Sequence, residues 1–155
     1  MQIEVKIGAL IMDPNTNNPI VVLKGSNSET ILPIWVGAYE ANAIALEIEK
    51  IVPQRPMTHD LLRNIIVELG LKAVKIVIND LRDNTFYAQI ELIDKKNKVV
   101  FLDARPSDAI ALALRLDCAI FVEQKVMDIS ATTQTESNTE GEFAPTTEDW
   151  PDLIG

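Results

Sequence analysis

Four polar side chains of different chemistry lie within positions 103–108, between an apolar run and an Ala/Leu-rich run. They are Asp103, Arg105, Ser107 and Asp108, in the stretch VVFLDARPSDAIALALRL. Carboxylates hold Mg²⁺ or Mn²⁺, and a guanidinium binds a phosphate through paired hydrogen bonds. Asp103 and Asp108 as metal ligands, with Arg105 as a phosphate clamp, therefore fit metal-assisted hydrolysis of a phosphodiester.

The same residues also fit a turn between a strand and a helix that carries out no reaction. Pro106 suits the first helical turn, and Ser107 is a residue type that caps helices. Asp108 complements the helix dipole, and Arg105 can pair with a neighbouring acid. Residue types alone do not separate the catalytic interpretation from the structural one.

Two further polar clusters have the same ambiguity. His59 is the sole histidine, and between Thr58 and Asp60 it is a candidate general acid or base. The structural alternative is a helix start with Thr58 as the cap and Asp60 in the first turn. The other cluster consists of Asp80, Arg82 and Asp83 in the stretch NDLRDNT. These residue types suit a phosphate or cation site, but they are also common in tight hairpins.

Several classes of protein are excluded by what the sequence lacks. There is no GxxxxGK[ST], GxGxxG, GxSxG or HExxH motif and no paired CxxC. One histidine excludes a His-rich zinc site within one chain. The single cysteine, Cys118, cannot form an internal disulfide, which favours a reducing cytoplasm. No apolar run approaches the length of a membrane span, and the N-terminal MQIEVKIGAL is no signal peptide.

The net charge of −9 is concentrated in the last part of the chain. Residues 1–123 hold 13 basic and 16 acidic side chains, whereas residues 124–155 hold 1 and 7. A protein that binds nucleic acid through bulk electrostatics needs a basic surface. A nucleic-acid role for this chain therefore depends on a local patch or a bound metal.

Hydrophobic patterning predicts one α+β domain, with a mixed or antiparallel sheet and about three helices. Apolar residues alternate from Ile3 to Ile11, and period-two runs over 72–81 and 85–93 predict a hairpin. Residues 106–116 are ambiguous by period, and their Ala and Leu content with Ser107 as a cap predicts a helix. Helical spacing appears after residue 38 and over a segment that Gly70 ends. In that segment the predicted buried stripe is Leu61, Leu62, Ile65, Ile66 and Leu69.

One internal similarity suggests a duplicated strand-turn-helix unit. PIWVGAYEANAIAL, residues 33–46, aligns with VVFLDARPSDAIAL, residues 99–112. Both stretches pass from an apolar strand through a polar turn into the same Ala-Ile-Ala-Leu run. Such a duplication would present Glu40 and Asp108 from comparable places, which makes Glu40 a third candidate metal ligand.

Composition predicts a domain over residues 1–123 and an acidic, largely flexible tail over residues 124–155. The tail is rich in Ser, Thr and Glu and ends in EDWPDLIG, residues 148–155. This last stretch is a candidate docking motif for a protein partner, through Trp150, Leu153 and Ile154.

Four stretches of the sequence resemble the bifunctional nuclease domain: LPIWVGAYEANAIAL, RPMTHDLL, DLRDNTFYA and DARPSDAIALAL. The resemblance runs from about Ile3 to Val122 in the same order and spacing. It implies an α+β domain that forms homo-oligomers, dimers or trimers, and that acts on both DNA and RNA. The motif positions in this chain are Glu40, Thr58, His59, Asp60, Asp80, Arg82, Asp83, Asp103, Arg105, Ser107 and Asp108.

Two functional hypotheses follow from the residues and the resemblance together. In the first, the protein is a Mg²⁺- or Mn²⁺-assisted nuclease. Its catalytic residues are His59, Asp103, Arg105 and Asp108. Its substrate contacts are Arg82 and Ser107, and its metal ligands are Asp103, Asp108 and Glu40. In the second, it is a non-catalytic oligomeric regulator that docks on a nucleic-acid enzyme such as RNA polymerase.

Overall fold

The computed structural model describes residues 1–137, which form one α+β domain, as the sequence predicts. The elements in chain order are β1 (Gln2–Met12), β2 (Pro19–Gly25), β3 (Ile31–Trp35), α1 (Ala38–Ile48), α2 (Thr58–Glu68), β4 (Lys72–Arg82), β5 (Thr85–Ile93), β6 (Val99–Ala104), α3 (Pro106–Leu116), β7 (Ala119–Glu123) and α4 (Gln124–Ser137). No helix within these residues is long and apolar enough to cross a membrane.

All seven strands form one sheet in the order β3-β2-β1-β7-β4-β5-β6. Neighbouring strands are antiparallel except β4 and β7, which are parallel. Pro33 lies in β3 at one edge of the sheet, where its missing N–H interrupts no central ladder. The β4–β5 hairpin turns at Asp83 and Asn84, both with positive φ, a conformation that Asn and Asp tolerate.

Each half of the sheet is a three-stranded meander followed by a helix: β1-β2-β3-α1 and β4-β5-β6-α3. The two stretches that align in the sequence occupy the last strand and the helix of each half. This common order of elements is a property of the fold, and the duplication itself stays a prediction.

The core lies between the sheet and the helices α1 and α3, which pack against each other. Ile76 and Ile78 of β4 are almost fully buried, as are Ile44 of α1 and Ile110 of α3. Both helices also bury alanines on the Ala-rich segments, which lets their backbones approach closely. Glu40 and Arg105 are brought near each other by this packing.

The packing of helix α2 differs from the prediction. Of the five apolar residues expected to form a buried stripe, only Ile66 is buried. The other four are between 39% and 69% exposed: Leu61, Leu62, Ile65 and Leu69. The prediction was wrong because helical spacing shows that one face is apolar but does not identify what covers it.

Helix α4 is a fourth helix in the region where the sequence predicts a flexible tail. It packs on β4 and β7, and its Val126 and Met127 are buried in the core. The expected boundary after residue 123 therefore falls between two packed elements. The docking motif at residues 148–155 lies outside the described residues.

Candidate functional site

Three helix starts converge at one place on the sheet's helical side. Glu40 lies in the first turn of α1, and His59 lies in the first turn of α2. Arg105 is the N-cap residue of α3, and Asp108 is in that helix's first turn. We call these residues, Glu40, His59, Arg105 and Asp108, the four-residue cluster.

Asp108 is the centre of the cluster. Its Oδ1 lies 2.9 Å from His59 Nε2, and its Oδ2 accepts a hydrogen bond from Arg105 Nε at 2.9 Å and lies 2.8 Å from Arg105 Nη2 in an ion pair. Arg105 Nη2 also donates to Glu40 Oε1 at 2.7 Å. A histidine, a guanidinium and two carboxylates are thus joined by one hydrogen-bond network.

The guanidinium of Arg105 bridges the two acids and still faces solvent, since its side chain is 67% exposed. Hydrogen bonds to Glu40 and Asp108, together with their negative charges, raise the pKa of Arg105, so it stays a cation. An exposed guanidinium held in a fixed orientation is a suitable phosphate-binding group.

Local sequence explains how α1 and α3 place these side chains. Pro106 occupies the first position of α3, with Arg105 extended before it. Ser107, which the sequence predicts as the cap, is instead a buried residue of the first turn. Before α1, a Cβ on Gly37 would lie 2.2 Å from Glu40 Oε2, so the glycine leaves room for that carboxylate.

A second ion pair fixes the helix that carries His59. Asp60 Oδ2 accepts a hydrogen bond from the Met57 amide, which makes Asp60, not Thr58, the side chain that caps α2. Its Oδ1 accepts a hydrogen bond from Arg115 Nε at 2.8 Å. Burial alone would raise the pKa of Asp60, but the bonds from Met57 and Arg115 outweigh it and lower that pKa.

The side chain of Arg115 is only 4% exposed, and it connects all three helices. Besides Asp60 of α2, it donates to Ala43 O of α1 at 3.0 Å and Ala111 O of α3 at 2.9 Å. Sequence reasoning missed this residue. The available signal was a single arginine in the last turn of an otherwise Ala/Leu-rich helix, a position where a buried cation needs partners.

The structure does not join every predicted site residue to the cluster. Asp103 is exposed on β6, opposite Gln89 of β5, and no hydrogen bond or ion pair among the described side chains links it to the cluster. Arg82 pairs with Asp80 and lies over the ring of Tyr87, 5.3 Å from its centroid. The burial of Ser107 does not favour contact with a substrate.

The described residues do not fit a metal centre. No three His, Cys, Asp or Glu side chains converge as a set of ligands among those that the structure describes, residues 1–132. Between Glu40 and Asp108, the place that a bridging cation would take is held by Arg105 Nη2. The predicted partner-binding residues lie outside the described part of the chain: Trp150, Leu153 and Ile154.

Comparison with known proteins identifies the family. The family model described as bifunctional nuclease domain matches residues 21–135. The chain belongs to the bifunctional nuclease domain family. The resemblance stated from the sequence is therefore confirmed, and the matched region of this bifunctional nuclease domain includes the cluster and most of α4.

Two groups of relatives differ in distance from this bifunctional nuclease domain. The uncharacterized protein Rv1829 of Mycobacterium tuberculosis is 44% identical over 126 residues, 80% of this chain and 73% of that relative. Bifunctional nuclease 1 of Oryza sativa subsp. indica is 23% identical over 118 residues, 75% of this chain and 36% of the plant protein. The chain thus corresponds to about a third of the plant nuclease's length.

Proposed function

We propose that this protein hydrolyses phosphodiester bonds in DNA and RNA at the four-residue cluster. Nuclease chemistry is supported by the description of the family and by the name of the plant relatives. The single observation that carries the proposal is the His59–Asp108 hydrogen bond of 2.9 Å beside an exposed guanidinium. A histidine oriented by a carboxylate is a general acid–base pair, and the guanidinium supplies phosphate binding.

In the proposed reaction, His59, Asp108 and Arg105 each have one role. Asp108 holds the Nε2 side of the imidazole, so Nδ1 of His59 takes a proton from water, or from a ribose 2′-hydroxyl. The activated oxygen attacks phosphorus, and the phosphorus–oxygen bond to the leaving alkoxide breaks. The protonated imidazole or solvent then gives a proton to that alkoxide. Arg105 binds the non-bridging phosphate oxygens during the step.

The proposal includes a divalent cation, which the assay adds or removes. No step of the reaction is assigned to it. Mg²⁺ or Mn²⁺ would supply Lewis-acid stabilisation of the phosphate when bound to the substrate, and no carboxylate of the four-residue cluster is assigned to hold the ion. Because the described residues hold no ready-made set of ligands, we assign the proton transfer and the phosphate contact to His59 and Arg105 alone.

The experiment that tests the function is a hydrolysis assay with the full-length protein. Single- and double-stranded DNA and RNA are incubated with Mg²⁺, Mn²⁺ or EDTA, and contaminating nucleases are removed by a second chromatographic step. We expect His59→Gln to lose about 100-fold or more in rate. Arg63→Gln is the matched control, because Arg63 lies on the same helix and, among the described residues, its side chain bonds only to its neighbour Asn64.

One specific observation favours the second candidate, a non-catalytic oligomeric regulator that binds a nucleic-acid enzyme such as RNA polymerase. Both carboxylate oxygens of Asp108 are already bonded, and the side chain of His59 is 12% exposed. A closed network of this kind also serves to hold three helices together. Wild-type protein that hydrolyses none of the substrates, yet binds purified RNA polymerase in sedimentation, would favour this candidate over the nuclease.

A further inference from the structure

Helix α2 has an apolar face that the described residues leave uncovered. Leu61, Ile65 and Leu69 recur at four-residue spacing, and Leu62 lies beside them, so they share one face of the helix. We call these four residues the α2 stripe. Their exposure of 39% to 69% contrasts with Ile66, which is buried against the core. A contiguous apolar face of this kind is typical of a surface that binds another segment.

A group of lysines lies at the C-terminal end of the α2 stripe. Gly70 ends the helix with φ +72, and a Cβ there would lie 2.2 Å from Lys95 Cε, so Lys95 lies against the helix end. Lys96 and Lys98 belong to the same β5–β6 turn, and Lys72 begins β4. All four lysines are exposed, and none is in an ion pair with the side chains of residues 1–132, which the structure describes.

Acidic residues only partly offset this positive charge. Asp94 lies in the same turn, where its Oδ1 accepts the amides of Lys96 and Lys98, and Glu68 is in the last turn of α2. Four cations against two anions leave this end of the molecule basic, although the whole chain carries −9. An apolar face beside a basic patch fits an acidic partner that also has large apolar side chains.

Residues 138–155 of this chain have that chemistry. The segment contains five acidic and no basic residues. Trp150, Leu153 and Ile154 are spaced at i, i+3 and i+4, the spacing that places apolar side chains together on one side of a helical segment. Nucleic acid would match the lysines but offers no apolar side chains, and a second copy of the α2 stripe would bring lysines where acids are needed.

The segment is long enough to cross the width of the domain. Trp150 is 13 residues beyond Ser137, and 13 extended residues span up to about 45 Å. A domain of this size has a radius of gyration of about 14 Å. Tethering also gives the segment an effective concentration of the order of millimolar, which favours docking within the same molecule over binding from solution.

We propose that residues 138–155 dock on the α2 stripe of their own chain, with their acidic side chains against the four lysines. Trp150 covers the stripe near Ile65 and Leu69, and the neighbouring acids pair with Lys95 and Lys98. This contact is independent of whether the four-residue cluster is catalytic, because it uses none of that cluster's residues.

Tryptophan fluorescence of the full chain tests the proposal. The chain has two tryptophans, so Trp35→Phe leaves Trp150 as the sole reporter. In that background, Ile65→Ser should move the Trp150 emission maximum to longer wavelength and raise its quenching by acrylamide. Lys95→Glu with Lys98→Glu should do the same, and so should high salt. Ile31→Ser is the matched control, an apolar residue 51% exposed on β3.

Three results would overturn the proposal. One is Trp150 emission typical of a solvated tryptophan that neither Ile65→Ser nor the lysine reversals change, while circular dichroism shows the fold intact. Another is a shielded Trp150 whose emission depends on protein concentration. The third is an oligomer that Ile65→Ser dissociates without affecting Trp150, which would make a second copy the occupant of the stripe.

Discussion

Asp108 connects the histidine and the arginine of the cluster, because it accepts hydrogen bonds from both His59 and Arg105. Asp108→Asn removes the charge that both partners require. We expect a rate loss of about 100-fold or more and a loss of about 1 kcal/mol in the free energy of unfolding. Urea titration and initial rates measure the two effects.

Asp103→Asn is the control for Asp108→Asn, since Asp103 is exposed and outside the network. It should change neither stability nor rate. A rate loss in Asp103→Asn as large as that in Asp108→Asn would contradict the geometry of the site and restore Asp103 as a catalytic residue.

Asp60 contributes to stability in a pH-dependent way. Its folded pKa is lowered, so its contribution is complete above the unfolded value of about 3.9 and disappears as pH falls through the lower folded value. Asp60→Asn leaves Arg115 buried without its closest anion, which should cost about 3 kcal/mol at pH 7. Urea unfolding should show this difference shrinking below about pH 4. A difference that stays constant or grows on acidification would contradict the assignment.

The site was predictable from the sequence only where neighbours along the chain make the contact. Arg105 and Asp108 are three residues apart on a helix start, and their pairing follows from that spacing. The contacts of Asp108 with His59 and of Arg105 with Glu40 join residues 49 and 65 positions apart. These contacts depend on how three helices pack against one another, and the spacing of residues along the chain does not predict that packing.

At the scale of elements, α4 is an integral part of the domain. Val126→Ala removes a fully buried side chain from the contact of α4 with the sheet and should cost about 2 kcal/mol. Lys125→Ala, at an exposed neighbouring position, should change stability by less than about 0.5 kcal/mol. Thermal and urea unfolding compare the two variants. Equal stabilities would instead support a domain that ends at residue 123.

Most strands and the helices α1 and α2 followed from hydrophobic period, because alternation and helical spacing are local properties. Helix α3 followed from its Ala and Leu content, because its period is ambiguous. The α4 segment was missed because its Ser, Thr and Gln composition is weakly apolar, and burial of only a few side chains such as Val126 and Met127 fixes it. The order of the strands was not predictable, since β7 inserts between β1 and β4 through long-range pairing.

At the scale of the whole molecule, the distribution of charge determines how nucleic acid could bind. The chain is strongly acidic, so the proposed phosphate contact at Arg105 would act locally and not through a general positive field. We therefore expect the Michaelis constant (KM) for DNA to rise only weakly with salt, with a slope of log(1/KM) against log salt of about −1 or −2. Rate measurements between 50 mM and 200 mM salt would check this, and a slope as steep as about −6 would contradict it.

The oligomeric state stays a prediction from the family resemblance. We expect sedimentation velocity to show a dimer or trimer of the 17.2 kDa chain. The strand β6, at an edge of the sheet, carries exposed Val99, Phe101 and Leu102, and an apolar edge of this kind is a template for pairing. Phe101→Lys should then shift the distribution to monomer, whereas a wild-type monomer would contradict the prediction.

The central claim is that His59 and Asp108 act as one catalytic unit on phosphodiester bonds. A double-mutant cycle on kcat/KM tests it most directly, with His59→Ala, Asp108→Ala and the double variant measured on single-stranded DNA and RNA. We predict that each single variant loses about 100-fold or more and that the double variant is no worse than the more damaging single one. Losses that multiply, or a wild-type protein without activity on either substrate, would contradict the claim.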